Sequence, residues 1–419
     1  MTVLMEYYEN LDLPEQTVLV GVDTGDFDAE ASMAELEELA HTAGAEVVAQ
    51  ILQKREKPDS ATYIGAGKLE ELKEFCEANE ADLIVADGEL SPSQQRNIEK
   101  EVDVRVIDRT TLILDIFAAR ARSNEGKLQV ELAQLKYALP RLGGKGVSMS
   151  RLGGGIGTRG PGESKLESDR RHIRRRIHAL EEDLEALTKR RRLARERRKK
   201  DGVETVAIVG YTNAGKSTLM NALTDAGVLA ENKLFATLDP TSRALTLPDG
   251  RNVMLIDTVG LIRRLPHNLV EAFKSTLEEA ANADLILNVC DASSSECAEH
   301  ITVTQQLLIE LGCADIPVIT VMNKCDIAGE LFGMSTIGRN VMISALQGKG
   351  LDALLDAIAR ELPPTRMKAD LLIPYSDGGA AARLRRDGAV LKEEYRNEGL
   401  FMTVIADMRI LEELKDYTV

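Results

Sequence analysis

Eight residues carry the chemistry that can be read first: Gly210-Tyr211-Thr212-Asn213-Ala214-Gly215-Lys216-Ser217. They fit G-x-x-x-x-G-K-[ST], a phosphate-binding loop. Such a loop aims backbone N–H groups and a helix N-terminus at phosphate oxygens. Gly210 and Gly215 permit the tight wrap. Lys216 is expected to reach the β- and γ-phosphates, and Ser217 to hold Mg²⁺. The loop needs a strand before it and a helix after it. Val206-Ala207-Ile208-Val209 reads as the strand, and Thr218-Leu219-Met220-Asn221-Ala222-Leu223 as the helix start.

Further stretches complete the set. Leu255-Ile256-Asp257-Thr258-Val259-Gly260 is an apolar strand ending in D-x-x-G. Asp257 is expected at Mg²⁺, and the Gly260 N–H at the γ-phosphate. Asn323-Lys324-Cys325-Asp326 follows another apolar strand. Asp326 can accept from the N1–H and 2-amino group of guanine. Adenine has neither donor, so unmet hydrogen bonds reject it. Ser344-Ala345-Leu346 fits a loop covering the base with backbone amides. In Phe235-Ala236-Thr237, Thr237 is expected to close over Mg²⁺, with Thr241 as the alternative. Lys216, Thr237 and Gly260 are thus the expected catalytic residues. The residue after the D-x-x-G stretch is Leu261, which cannot orient water, so unaided turnover is expected to be slow. Asn213 either helps hold K⁺ beside the phosphates or stabilises the loop.

The elements positioning these residues sit in a chain of 419 residues, long enough for about three domains. Its net charge is −16, yet residues 141–200 hold 19 Lys and Arg against 8 Asp and Glu. A basic arm on acidic domains suits a polyanionic partner. Five cysteines without a C-x-x-C pair fit reduced thiols in a cytoplasmic protein. The first ten residues lack the features of a signal peptide. No apolar run approaches the ~20 residues of a membrane span.

Residues 1–125 alternate strand and helix patterns, which argues for a mostly parallel sheet covered on both faces. Within them Tyr63-Ile64-Gly65-Ala66-Gly67-Lys68 is either a phosphate-binding turn or a tight turn ending in a solvated lysine. Asp87 and Glu89 read as an acidic loop. In residues 126–200, Leu128, Leu132, Leu135 and Leu139 form one stripe ended by Pro140. Ile173, Ile177, Leu180, Leu184 and Leu187 continue the rhythm on a helix over 165–200, about 50 Å long. The pair predicts an antiparallel hairpin. Its connecting loop is rich in glycine and holds Lys145, Arg151 and Arg159, flanked by Arg141, Arg170 and Arg171. Glycines allow close approach, and arginines pair with phosphates bidentately. The loop is either an RNA contact or a linker. Residues 201–363 form the nucleotide domain. Residues 364–419 read as strand, helix, strand and a closing turn, a small α/β appendage.

Residues 153–167, 169–171, 235–241 and 257–270, with 106–110 and 129–135, resemble the HflX family of ribosome-associated GTPases, in the Obg-like branch. The resemblance spans nearly the whole chain. It departs at Ser164, where threonine is usual, and at Leu261, where phenylalanine is usual. It implies a multidomain α/β protein: an N-terminal α/β domain, a helical hairpin, the GTPase domain and a small C-terminal domain. It implies a GTPase that binds the 50S subunit and 70S ribosomes through ribosomal RNA in its GTP state and dissociates or rescues them. Two other readings stay open. One is an assembly GTPase acting on a large-subunit precursor; the other is a nucleotide-gated regulator whose target is not RNA. Some members hydrolyse ATP through the first domain. The expected state is a monomer, cytoplasmic or peripherally membrane-associated.

Overall fold

The computed structural model describes residues 14–142, 161–201, 203–224, 234–235, 241–264, 279–328, 340–362 and 366–419. The first unit is a four-stranded parallel sheet in the order β2-β1-β3-β4, formed by β1 (Gln16–Asp23), β2 (Glu46–Lys54), β3 (Leu83–Ala86) and β4 (Arg105–Asp108). The inner strands are buried on both faces, as their unbroken apolar runs require; β2 alternates, as an edge strand does. Helices α1 (Ala29–Ala43) and α4 (Arg109–Arg120) cover one face through Met33, Leu36, Ile113 and Phe117. Helices α2 (Ala66–Asn79) and α3 (Pro92–Val102) cover the other through Leu69, Leu72 and Ile98. Local sequence sets these ends: Ser91 and Gln94 form a capping box before α3, with Pro92 in its first turn.

Helices α5 (Asn124–Arg141) and α6 (Pro161–Asp201) follow. Leu132, Ile177 and Leu180 form the seam, with Leu128, Leu135, Leu139, Ile173 and Leu184 beside them. Glu125 pairs with Arg191 at 2.8 Å, and Leu142 O accepts from Arg170 at 2.9 Å, so the helices run antiparallel. Pro140 does not end α5; it sits inside the last turn, and the Leu142 N–H still reaches Ala138 O. Helix α6 is longer than expected, 41 residues, because Pro161 can open a helix.

The third unit is a six-stranded sheet in the order β10-β9-β8-β5-β7-β6. Its strands are β5 (Glu204–Gly210), β6 (Thr241–Thr246), β7 (Asn252–Asp257), β8 (Leu285–Asp291), β9 (Val318–Asn323) and β10 (Asn340–Met342). All pairs are parallel except β6 with β7. Helices α7 (Lys216–Thr224), α8 (Cys297–Glu310) and α9 (Leu351–Glu361) flank it.

The tail contains one strand more than its sequence announces. Strands β11 (Arg366–Ile373), β12 (Ala389–Arg396) and β13 (Gly399–Asp407) form an antiparallel sheet, β11-β13-β12, with helices α10 (Gly378–Asp387) and α11 (Met408–Glu413). Strand β12 is an edge strand with four charges in eight residues, no clean alternation and a register shift between Val390 and Lys392. An edge strand needs little apolar pattern, which is why it escaped the reading.

Candidate nucleotide site

Strand β5 ends at Gly210 and α7 starts at Lys216, so the glycine-rich loop joins a buried strand to a helix N-terminus. The two loop glycines are fixed by geometry. Gly210 has φ 147°, and a Cβ there would lie 2.1 Å from Val289 O; Gly215 has φ 93°, and a Cβ would lie 2.3 Å from Asn323 Nδ2. Lys216 Nζ is buried and donates to Gly210 O (3.1 Å) and Tyr211 O (2.7 Å). Burial pulls its pKa down to about 8, against the charge of Asp257. Ser217 Oγ donates to Asp257 Oδ2 at 2.8 Å. The Thr212 hydroxyl is buried without a hydrogen-bond partner among the described residues.

The D-x-x-G stretch leaves β7 and crosses beside the loop. The Thr212 N–H donates to Leu261 O (2.8 Å), and the Leu261 N–H to Gly210 O (3.1 Å). Gly260 sits where a Cβ would be 3.0 Å from Lys216 Nζ. Thr258 turns inward, its hydroxyl on Ile208 O at 2.7 Å. Val259 packs away from the loop, into the core shared with the first sheet.

Asn323 ties three segments together. Its Nδ2 donates to Ala214 O (2.9 Å), and its Oδ1 accepts from the Ala345 N–H (2.9 Å). Ser344 is fully buried, whereas Leu346 is 83% exposed. Asp326 Oδ2 accepts from Gln347 Nε2 at 3.3 Å. Loop 210–217, Asp257–Gly260, Asn323–Asp326 and Ser344–Leu346 thus meet at the carboxyl ends of β5, β7 and β9, where open α/β sheets bind ligands. Phe235 is described and fully buried; Ala236 and Thr237 lie outside the described residues.

Residues 30–118 match a family described as GTP-binding GTPase N-terminal, 120–198 its middle region, and 205–324 a family described as 50S ribosome-binding GTPase. The GTPase HflX of Caldanaerobacter subterraneus subsp. tengcongensis is 53% identical over 405 residues, which is 97% of this chain and 94% of that protein. This chain belongs to the HflX family of GTPases. The HflX of Lacrimispora saccharolytica is 49% identical over 99% of this chain and 98% of that protein, and that of Escherichia coli 42% over 94% and 93%. The chain is a GTP hydrolase built as a multidomain α/β protein.

Nothing local in the sequence announces how this site is joined to the first sheet. Tyr211 is a loop residue, but its ring leaves the loop. Its hydroxyl donates to Glu35 of α1 and accepts from the Arg263 N–H (2.6 Å), while the ring stacks on His300 of α8 at 3.8 Å. Arg109 bonds Glu35, Asp87 (2.8 Å) and Arg263 O (3.3 Å). Arg264, left-handed at φ 49°, reaches Asp87 at 2.9 Å and stacks over Phe27. Asp87, read as part of an acidic loop, is therefore a buried anchor. Burial pushes the Glu35 carboxyl above its usual range, against Arg109 and Tyr211. Phe235 meets Phe117 of α4 edge-on at 4.6 Å between centroids. The first domain thus touches the loop (Tyr211), the stretch before Thr237 (Phe235) and the stretch after Gly260 (Ile262–Arg264). The family resemblance at 106–110 and 257–270 was the only signal.

One expectation needs correction. Arg141 was grouped with the RNA contacts, but its guanidinium is committed inward. It donates to Leu90 O (2.7 Å) and the Tyr137 hydroxyl (2.5 Å), pairs with Asp108 at 3.4 Å, and lies over the Tyr137 ring. Breaking those bonds to reach a phosphate would take the cation away from buried Asp108, leaving it the Tyr137 hydroxyl and the Leu90 and Thr111 donors. Of the two readings of the 63–68 turn, the tight turn is the one its contacts favour: Lys68 lies on α2 and pairs with Glu71 at 2.6 Å at the surface. Arg170 is shared with Leu142 O, and Arg171 is exposed. Lys145, Arg151 and Arg159 lie outside the described residues.

Proposed function

We propose that this GTPase binds the large ribosomal subunit and whole ribosomes in its GTP state, through ribosomal RNA, and dissociates or rescues idle and stalled ones in the cytoplasm. The observation that carries the reading is the head of α6. Arg171, Arg174 and Arg175 are exposed there, on a chain that is acidic overall. The match of residues 205–324 to a 50S ribosome-binding GTPase family supports it.

At the nucleotide site, the loop 210–217 would wrap the phosphates with backbone N–H groups, with Thr218 just inside the helix. Lys216 would exchange its two carbonyl partners for phosphate oxygens. The Gly260 N–H would meet the γ-phosphate, and Thr237 would close the site. Asn323, Lys324 and Asp326, with Ser344, Ala345 and Leu346, would hold guanine. The oxygens at the site fit Mg²⁺: a hydroxyl and a carboxylate, Ser217 and Asp257, already converge at 2.8 Å. When bound, the ion neutralises charge on the β- and γ-phosphate oxygens. For K⁺ the described residues offer the exposed Asn213 side chain.

Two outcomes are expected. Replacing Arg171, Arg174 and Arg175 with alanine weakens co-sedimentation with 50S subunits and 70S ribosomes. Each lost charge-assisted contact costs about 1.5–3 kcal/mol, and the salt dependence becomes shallower. Hydrolysis without ribosomes stays the same, because none of the three touches the loop. Unchanged co-sedimentation and salt slope in the triple variant would sink the RNA reading. Preference for precursor particles over mature 70S would favour an assembly role. Second, Leu261 is 3% exposed and holds no water-orienting group, so turnover is slow alone and rises when 50S subunits are added. Equal rates with and without 50S would contradict this.

A further inference from the structure

Lys324 and Asp326 are the recognition pair of the base site, yet neither is rigid by its own chemistry. Lys324 has a long flexible stem and sits in the left-handed region at φ 62°. Something must hold its ammonium, and one residue outside every motif does so. Asp291 closes β8, in register with Asn323 on β9. Its Oδ2 meets Lys324 Nζ at 2.6 Å. Its other oxygen, Oδ1, is taken by its own turn, accepting from the Ser293 N–H (2.9 Å) and the Ser293 hydroxyl (2.5 Å). The Ala292 N–H donates to Asn323 O at 2.8 Å, so the same turn grips the recognition segment by backbone as well. The carboxylate therefore has a single orientation, with one oxygen anchored and one aimed at Lys324. The side chains are 20% and 27% exposed, so the pair is partly shielded from solvent and stronger than an open surface bridge. Burial disfavours the charge on Asp291, but the bonds from Lys324 and Ser293 outweigh it and hold the carboxyl below its usual range.

We propose that Asp291 is a positioning residue for guanine nucleotide: it fixes the Lys324 side chain beside the base pocket and so sets nucleotide affinity without taking part in hydrolysis. This rests on the reading of residues 323–326 as the base site. It predicts a separation of constants. A group that acts on the bound nucleotide equally in ground and transition states changes KM and leaves kcat alone.

The test uses the full chain and a fluorescent GDP analogue, with steady-state GTP hydrolysis alongside. Asp291→Asn keeps the shape and removes the charge. Loss of one charge-assisted bond to Lys324 should speed GDP release and raise the GTP KM by about tenfold each, with kcat within about twofold. Ser293→Ala keeps the charge and the backbone N–H bond to Oδ1 but removes the hydroxyl bond, so it gives a smaller change of the same sign, and it carries the test if Asp291→Asn does not fold. Asp291→Glu, which restores the charge, recovers part of the affinity. GDP release at the wild-type rate in Asp291→Asn, or a fall in kcat with KM unchanged, overturns the proposal. Asp326→Asn checks the base site separately. If that variant still prefers GTP to XTP, the base-site reading itself fails. If it switches while Asp291→Asn behaves as wild type, only the positioning role fails.

Discussion

Asp326→Asn is expected to turn this GTPase away from GTP and toward XTP. Guanine offers two donors, N1–H and the 2-amino group, to a carboxylate that only accepts. In xanthine the 2-amino group is a carbonyl. The asparagine amide supplies one acceptor for N1–H and one donor for that carbonyl, so xanthine is satisfied and guanine is not. Sites built on hydrogen bonds discriminate strongly, because the wrong ligand leaves buried polar groups unmet. Affinity for GTP should fall by on the order of 10³-fold or more, and XTP should become the better ligand. The Asp326 carboxylate already has a side-chain donor nearby in Gln347, which can present its amide oxygen to the new asparagine. The fold should therefore tolerate the change. Competition between GTP and XTP for the loaded site measures it, and full retention of GTP preference would refute the assignment.

Arg109→Ala is expected to be the most damaging single change to stability. Its guanidinium is 3% exposed and bonds Glu35 and Asp87, whose side chains are 10% and 3% exposed. Removing one partner of a buried ion pair leaves uncompensated charge and costs about 3–5 kcal/mol. Here one truncation weakens the support of two carboxylates at once, while Arg264 and the Ser32 hydroxyl continue to serve Asp87. The sign with pH follows. Burial already raises the Glu35 pKa, and losing Arg109 raises it further. The penalty is therefore largest where Glu35 is ionised, and the variant regains stability as pH falls from neutral through that raised pKa. Urea midpoints between pH 7 and pH 5 test both claims. A variant as stable as the parent at pH 7, or one that weakens faster than the parent on acidification, contradicts them. The chain has several units, so amide exchange in the first sheet is the cleaner readout.

The nucleotide site was legible because its chemistry is contiguous. Loop 210–217, Asp257–Gly260 and Asn323–Asp326 each combine a strand end with a short run of fixed residue types. The hairpin was legible because leucine and isoleucine recur at helical spacing. What stayed hidden depends on distant pairing. Tyr211 and Glu35 are 176 residues apart, and Arg264 and Asp87 177; no periodicity links them. Arg141 looked like the other basic residues around the glycine-rich loop, because nothing in its type says that Tyr137 and Asp108 will enclose it. Asp291 carried no motif at all, and its role depends on β8 lying beside β9.

Helix α6 ends at Asp201 and β5 begins at Glu204, so only Gly202 and Val203 separate the hairpin from the strand that delivers the glycine-rich loop. The helix is a lever whose root joins the amino end of β5, the strand whose other end carries the glycine-rich loop. At 1.5 Å per residue it is roughly 60 Å long, and a turn of about 5° at the root sweeps its far end through roughly 5 Å. A small rotation of β5 would therefore be magnified at the exposed arginines near the other end. Mechanical advantage runs both ways, and a push delivered there returns to β5 as torque with little travel.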